Sequence, residues 1–373
     1  MATTRHRSRR HRIRRWLVTI LVGLVVVAGI LFGGYVHQNV TGLEHELSRT
    51  VEAGVAEHEA IVDGHRLRYA EGPNNGPSLL LIHGQGSQWT DYVNVLPQLA
   101  ATHHVYAVDV PGHGGSDRLD PDSYSNVVVG DLLAEFMSAT LDEPAIVSGH
   151  SSGGLLALYI TAEHPDLVSG LMLEDPPLFS SEMPRLLTTT GGGLPLIARD
   201  YLADHPDGTD GGGFQRVYVE RSDYFAFFAG AEPMIVDYAL GWIDDHPSEP
   251  LQIWFLPPLV SVFFQGIANY DPAFGAAWVD DLWYDGFDTD QALSSVRVPT
   301  TLIQTNYFEE TKGSAIQDGV LMAAMDSDDA ARALDQLPDD TPLVTVASGH
   351  LVHFEKPEPY LDGLADLTDR VAR

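Results

Sequence analysis

The sequence predicts an α/β protein: a mostly parallel sheet with helices on both faces, preceded by one membrane-spanning helix. Apolar runs typical of buried strands alternate with helical periodicity over residues 60–175 and again over 297–373. Residues 176–296 lose this alternation and read as a helical insertion into the core. Residues 16–36 contain no charged side chain and predict the membrane helix.

The apolar stretch 16–36 has the length of a membrane anchor. A helix of that length is about 31 Å long, which matches the hydrocarbon core of a bilayer. A cleaved signal peptide has a shorter apolar stretch and a small-x-small cleavage site, and no such site follows here. We therefore expect an uncleaved anchor, with a removed signal peptide as the alternative.

The basic residues near the N-terminus predict the orientation of this anchor. Seven arginines lie within residues 1–15, so the positive-inside rule places this basic tail in the cytoplasm. Residues 37–59 are expected to form a stalk, because apolar residues recur there at helical spacing. These residues are Val40, Leu43, Leu47, Val51 and Val55. The sequence thus predicts a single-pass protein of the cell membrane whose larger part lies outside the cytoplasm.

The composition excludes several classes of function. The chain has 52 acidic and 21 basic residues, and a net charge of −31. Residues 16–373 contain 14 basic and 52 acidic side chains and therefore carry a net charge of −38. A chain this acidic is a poor ligand for nucleic acid. The absence of cysteine excludes disulfides, thiol catalysis and cysteine-bound metals. No metal-binding, P-loop or dinucleotide motif follows a predicted strand, so we expect neither cofactor nor metal.

A G-x-S-x-G motif carries the first candidate catalytic residue. Gly149, His150, Ser151, Ser152 and Gly153 lie between the apolar strand 145–151 and a helical segment. The glycines permit a sharp turn that exposes the serine hydroxyl at the end of the sheet. Ser151 is therefore the candidate nucleophile, and the start of the next helix offers free N–H groups to an oxyanion.

Two further strand ends carry residues with complementary chemistry. His83-Gly84-Gln85-Gly86 follows a buried strand, and we assign the backbone amides of Gln85 and Ser152 to an oxyanion hole. The segment 348–357 follows the last apolar strand and contains His350 and His353. Because His350 directly follows a glycine turn, we prefer it over His353 as the base that activates the serine.

These strings together resemble the α/β-hydrolase fold family. The matching segments are HGQG (83–86), DVPGHGGSD (109–117), GHSSGG (149–154), LEDPP (173–177) and SGHLVHFEKPE (348–358). The resemblance implies an eight-stranded, mostly parallel sheet with a cap, residues 176–296, inserted after the sixth strand. It also implies Ser151 as nucleophile and His350 as base. A serine at this position argues against the dehalogenase and epoxide-hydrolase branches, which use an aspartate.

The acid of the triad departs from the family pattern. The family usually places an aspartate a few residues after the seventh strand, where this chain reads TNYFEE (305–310). Asp175, at the end of the sixth strand, is our first choice because a strand end is rigid. Glu309 in the seventh-strand loop is the close alternative, and Glu310 and Glu174 are further options.

The function predicted from the sequence is a membrane-anchored serine hydrolase, a carboxylic ester hydrolase similar to esterases and lipases. The segment 176–296 holds 20 of the 34 aromatic residues, which either line a pocket for a small apolar ester or form the core of the cap itself. The alternatives are C–C bond hydrolysis, acyl transfer or peptidase action by the same residues. A catalytically silent, anchored ligand-binding protein is the alternative from another class.

Overall fold

The computed structural model describes residues 3–205 and 213–373. Residues 1–2 of the predicted basic tail and residues 206–212 of the predicted cap lie outside the described residues.

An eight-stranded sheet in the order β1-β2-β4-β3-β5-β6-β7-β10 forms the centre of the domain. β1 pairs with β2, and β2 with β4, in antiparallel fashion, whereas every other neighbouring pair is parallel. The eight strands are β1 (Ala56–Val62), β2 (His65–Glu71), β3 (Ser78–Ile82), β4 (His104–Val108), β5 (Ala145–His150), β6 (Val168–Glu174), β7 (Thr300–Thr305) and β10 (Leu343–Val346). The predicted mostly parallel eight-stranded sheet is therefore confirmed.

Helices cover both faces of this sheet, as the alternating side chains of its strands require. In β3, Leu80 and Ile82 pack into one core cluster, while Leu79 and Leu81 pack into the other. The core helices are α2 (Leu96–Ala100), α3 (Asn126–Thr140), α4 (Ser152–Glu163) and α14 (Pro357–Val371). Residues of α3 and α4 contribute to the first cluster, and residues of α2 and α14 to the second.

The insertion between β6 and β7 is helical in its described part. Its helices are α5 (Gly193–Asp204), α6 (Gly213–Arg221), α7 (Glu232–Asp245), α8 (Pro258–Ala268), α9 (Pro272–Val279) and α10 (Thr289–Ser295). The remaining elements are α11 (Tyr307–Lys312), β8 (Ile316–Gln317), β9 (Val320–Leu321), α12 (Ser327–Leu334) and α13 (Val352–Glu355). The cap thus enters the chain directly after the strand that ends at Glu174.

One continuous helix, α1 (Thr3–Glu52), runs through the predicted tail, anchor and most of the stalk. Its apolar part has a mean hydropathy of 2.6, is not covered by the rest of the chain, and is long enough to cross a membrane. Only part of the predicted apolar face of the stalk packs against the rest of the protein. Leu43 and Leu47 pack against the core, whereas Val40 and Val51 are exposed.

The end of α1 explains where the stalk prediction differs from the structure. Gly54 adopts a left-handed φ of 88°, a conformation that commonly terminates helices. Val55 therefore lies beyond the helix, where it is buried in the core, and β1 begins at Ala56 inside the predicted stalk.

Candidate active site

Ser151 occupies the sharp turn between β5 and α4. Its φ of 53° and ψ of −124° are unusual for a residue with a side chain, and such a conformation costs about 1–3 kcal/mol. The neighbouring glycines make the turn possible. A Cβ at Gly149 would lie 2.2 Å from the carbonyl oxygen of Gly153, and a Cβ at Gly153 would lie 2.3 Å from that of Ile82. The motif therefore has the geometry that raises a serine above the end of a sheet.

The turn after β3 passes directly beside this serine. A Cβ at Gly84 would lie 2.8 Å from the Cβ of Ser151, so only a glycine fits there. The His83 side chain holds the turn, because its Nε2 accepts from Val110 N at 3.0 Å and its Nδ1 therefore donates to the carbonyl of Gly84 at 2.8 Å. The structure thus places Gly84, the residue before Gln85, next to Ser151, which is followed directly by Ser152.

The side chain of Gln85 connects this turn to the cap. Its Nε2 donates to the hydroxyl of the buried Tyr270 at 2.8 Å. Helix α8 also rests on the turn, since a Cβ at Gly266 would lie 1.9 Å from the carbonyl oxygen of Gly86. The turn is therefore packed between the core and the cap, which restricts its conformation.

His350 and Asp175 form a hydrogen-bonded pair at the same edge of the sheet. Nδ1 of His350 lies 2.7 Å from Oδ2 of Asp175. The carboxylate is buried, and Thr305 donates to it from its backbone N at 3.0 Å and from its hydroxyl at 2.8 Å. The Asp175 N–H in turn donates to the carbonyl of Ile303 at 2.9 Å. Four hydrogen bonds therefore fix this residue between β6 and β7.

The charge of Asp175 changes the acid–base properties of His350. Burial lowers the pKa of His350, but the hydrogen bond and the charge of Asp175 oppose it, and Glu174 and Glu355 add to this effect. The result is a pKa above the ordinary value of histidine. Because Nδ1 is occupied by Asp175, Nε2 is the ring nitrogen left for proton transfer.

Glu309, the alternative acid, lies at a different place in the structure. Its Oε2 accepts from the hydroxyl of Ser327 at 2.8 Å, near the start of α12. Glu310 accepts from the Asn306 amide at 3.1 Å. Within the part of the chain that the structure describes, neither carboxylate forms a hydrogen bond with His350.

A second histidine–carboxylate pair lies beneath the first and was not anticipated from the sequence. Nδ1 of His353 lies 2.8 Å from Oε2 of Glu174, and the backbone N of His353 donates to Oε1 at 2.9 Å. Both side chains are completely buried, and the His353 ring stacks on Tyr92 with centroids 4.2 Å apart. Two consecutive acids at the end of β6 therefore pair with two histidines that lie three residues apart in one loop. The presence of two acids and two histidines in these segments is the sequence signal that could have revealed the second pair.

His150, inside the serine motif, also has a role that the sequence did not indicate. Its Nε2 lies 3.0 Å from the backbone carbonyl of His350 and therefore donates to it. The two rings are 4.5 Å apart. Burial holds the pKa of His150 well below its ordinary value, so the ring is neutral. The residue before Ser151 thus connects the serine turn directly to the loop of His350.

Most of the cap aromatics pack against one another. Trp278 and Trp283 stack with centroids 4.5 Å apart, and both are buried. Phe225 and Phe264 are likewise buried and lie 5.9 Å apart. These rings form the core of the cap, which was one of the two explanations offered by the composition. In the described parts of the chain, no group of three or more His, Asp or Glu has the arrangement of a metal site.

Comparison with known proteins agrees with this architecture. The family model of the alpha/beta hydrolase fold matches residues 77–218, which contain the Gly84 turn, Ser151 and Asp175. Strand order, the position of the helical insertion and this match together show that the chain has the α/β-hydrolase fold.

The curated relatives resemble only part of the chain. The pimeloyl-[acyl-carrier protein] methyl ester esterase of Neisseria meningitidis serogroup C is 39% identical over 101 residues, which are 27% of this chain and 37% of the esterase. The soluble epoxide hydrolase of a Corynebacterium species is 29% identical over 121 residues, which are 32% of this chain and 42% of that enzyme. The chain thus spans less than half of the length of these relatives.

Solved structures resemble nearly the whole chain. A membrane phospholipase A, described as a bacterial virulence factor, superimposes with a TM-score of 0.60 and 22% identity. The match covers 96% of this chain and 99% of the phospholipase chain. At this level of identity the likeness concerns the fold.

Proposed function

We propose that this chain is a membrane-anchored serine hydrolase that cleaves carboxylic esters through an acyl-enzyme on Ser151. The observation that carries the proposal is the 2.7 Å contact of His350 with Asp175, on a loop that His150 ties to the serine turn. The similarity to a methyl ester esterase supports the choice of ester over other acyl substrates.

In the proposed reaction, proton transfer and the stabilisation of charge follow one another in four steps. His350 Nε2 takes the hydroxyl proton of Ser151 as the serine oxygen attacks the ester carbonyl. The backbone amides of Gln85 and Ser152 stabilise the oxyanion, and the loss of one such donor typically costs about 2.7–4 kcal/mol. The Asp175 carboxylate, hydrogen-bonded to Nδ1, stabilises the imidazolium. The imidazolium then gives its proton to the departing alcohol, and water hydrolyses the acyl-enzyme by the same steps.

Membrane anchoring is the second part of the proposal. Helix α1 has the length and hydropathy of a membrane span, and seven arginines precede its apolar part. We propose a single pass with the arginines in the cytoplasm and the domain outside. The acidic domain then lies away from the basic end of the helix.

A fluorophosphonate probe tests the catalytic part directly. It reacts with activated serines, so the full-length chain in detergent should be labelled, and Ser151→Ala should not. Ser138→Ala is a matched control, because Ser138 is an exposed serine on α3 and its loss should leave labelling intact. The absence of labelling in the folded, unmodified chain would favour the catalytically silent ligand-binding protein.

A panel of substrates separates the remaining enzyme classes. Aliphatic p-nitrophenyl esters of increasing chain length, a peptide amide and a β-diketone are offered to the same preparation. We expect turnover of the esters alone. Preferential cleavage of the diketone or the amide, or transfer of the acyl group to an added alcohol in place of water, would assign the triad to one of the alternative reactions.

A further inference from the structure

The cap contains an apolar edge that lies beside α1. We define the cap edge as residues 251–257, LQIWFLP, the segment that leads into α8. No charged residue occurs from 250 to 270. Along the edge, Leu251, Ile253 and Leu256 are buried, while Gln252 and Trp254 are exposed. An indole is therefore presented at the surface without a charged neighbour in sequence.

Three contacts fix this edge against the membrane helix. The ring of Trp254 meets that of Phe32 edge-on, with centroids 6.1 Å apart. The hydroxyl of Tyr35 donates to the carbonyl of Phe255 at 3.1 Å, and the side-chain amide of Asn39 donates to the carbonyl of Trp254 at 3.3 Å. The cap edge is thus attached to α1 at the end of the apolar stretch 16–36.

This attachment sets the depth of the edge relative to a bilayer. Phe32 precedes the end of the apolar stretch by four residues, which is about 6 Å of helix rise. A ring that contacts Phe32 from the side therefore lies within about 6 Å of the outer boundary of the hydrocarbon region. Tryptophan and tyrosine concentrate at this level in membrane proteins, because their rings are apolar and their N–H or O–H groups remain hydrated.

Exposed apolar side chains continue from the edge onto α7. The ring of Tyr238 packs on Phe255 with centroids 5.3 Å apart. Met234, one turn earlier on the same face of α7, is 64% exposed, and Phe227 just before this helix is 74% exposed. Large apolar side chains exposed next to one another commonly mark contact with a protein or a membrane. The attachment to α1 favours the membrane.

We propose that the cap edge is a docking surface for the lipid bilayer that α1 crosses, with Trp254 inserted at the interface. The proposal rests on the proposed membrane anchor. It also fits the charge distribution, because the cap edge is an uncharged segment in a chain whose residues 16–373 carry a net charge of −38. Helix α8 starts at Pro258, directly after this edge, and its Gly266 contacts the turn beside Ser151, so about 12 Å of helix separates the edge from that turn.

The chain contains no cysteine, so single cysteines can report depth without removing any native residue of that type. We would attach a nitroxide spin label to Gln252→Cys and to Trp254→Cys in the full-length chain, reconstituted in phosphatidylcholine–phosphatidylglycerol vesicles. Gln252→Cys keeps the Trp254 ring and its contact with Phe32. Leu24→Cys in the apolar stretch is the lipid reference, and Ile316→Cys, on the exposed strand β8, is the aqueous reference.

Power saturation then compares collisions with oxygen, which concentrates in lipid, and with a water-soluble nickel chelate. We expect oxygen accessibility at 252 and 254 to exceed that at 316 and nickel accessibility to fall below it, with both values lying between those at 316 and at 24. Nickel accessibility at 252 and 254 equal to that at 316, with 24 in lipid, would overturn the docking surface and retain the anchor. Low accessibility of 252 and 254 to both reagents would indicate a protein partner or a second copy, and would also overturn it. An aqueous label at 24 would refute the anchor itself.

Discussion

Nδ1 of His350 and Oδ2 of Asp175 lie 2.7 Å apart, although 175 positions separate the two residues in the chain. The contact exists because Asp175 directly follows β6, which pairs with the serine strand β5 on one side and with β7 on the other. Thr305 at the end of β7 donates two hydrogen bonds to the carboxylate. An acid that directly follows β6 can therefore reach the histidine without any residue from the seventh-strand loop.

The first prediction separates the two candidate acids. Asp175→Asn should lower kcat for a p-nitrophenyl ester by about 10⁴-fold, because an amide neither stabilises the imidazolium nor holds the required tautomer. Glu309→Gln should remain close to the unmodified chain, since Glu309 binds Ser327. A large loss in the Glu309 variant alone would reverse the assignment.

The second prediction concerns pH. His350 must be neutral to act as a base, and its pKa is raised above the ordinary value of 6.5. The specificity constant kcat/KM should therefore rise with pH, and the midpoint of this rise should lie above pH 6.5. Removal of the negative charge in Asp175→Asn destabilises the imidazolium, so the residual activity should show a lower midpoint. An unchanged midpoint would mean that another group controls this limb of the profile.

The third prediction concerns the buried pair of Glu174 and His353. Both side chains are fully buried, and removal of one partner leaves the other without its main contact. His353→Ala should lower the free energy of unfolding by about 3–5 kcal/mol, measured by urea denaturation. The double variant Glu174→Leu with His353→Leu should lose less stability than the summed losses of Glu174→Leu and His353→Leu, because it leaves no buried polar side chain without its partner. Additive losses would show that the pair is not energetically coupled.

The fourth prediction compares two glycines in cap helices. Gly266→Ala places a methyl group 1.9 Å from the carbonyl oxygen of Gly86, so α8 or the turn beside Ser151 must move. We expect a marked loss of kcat with esters. Gly241→Ala on α7 meets no atom within 4 Å and should raise stability by about 0.5–1 kcal/mol. Wild-type kcat in Gly266→Ala would show that the packing of α8 on the turn is irrelevant to catalysis.

The sequence was most informative for features that depend only on residues close together in the chain. Alternating apolar strands and helical segments predicted the sheet, because side-chain periodicity follows directly from backbone geometry. The motif around Ser151 could be recognised because a sharp turn from strand to helix requires small residues, and Gly149 closely approaches Gly153 within the same turn. The position of the cap followed from the loss of strand periodicity after residue 175.

Contacts between side chains that lie far apart in the chain could be identified only from the tertiary structure. The sequence offered Asp175 and Glu309 as near equals, because no local pattern records which strand ends are neighbours. The pairing of Glu174 with His353 and the bond from His150 to the His350 loop depend on the same juxtaposition.

The sequence by itself thus predicted a helix long and apolar enough to cross a membrane, the sheet and the serine turn, because these follow from periodicity and local backbone geometry. The tertiary structure decided which carboxylate meets His350 and which part of the cap meets α1. Both contacts join segments more than 170 residues apart. They form only when burial of apolar surface has fixed the order of the strands and the packing of the cap.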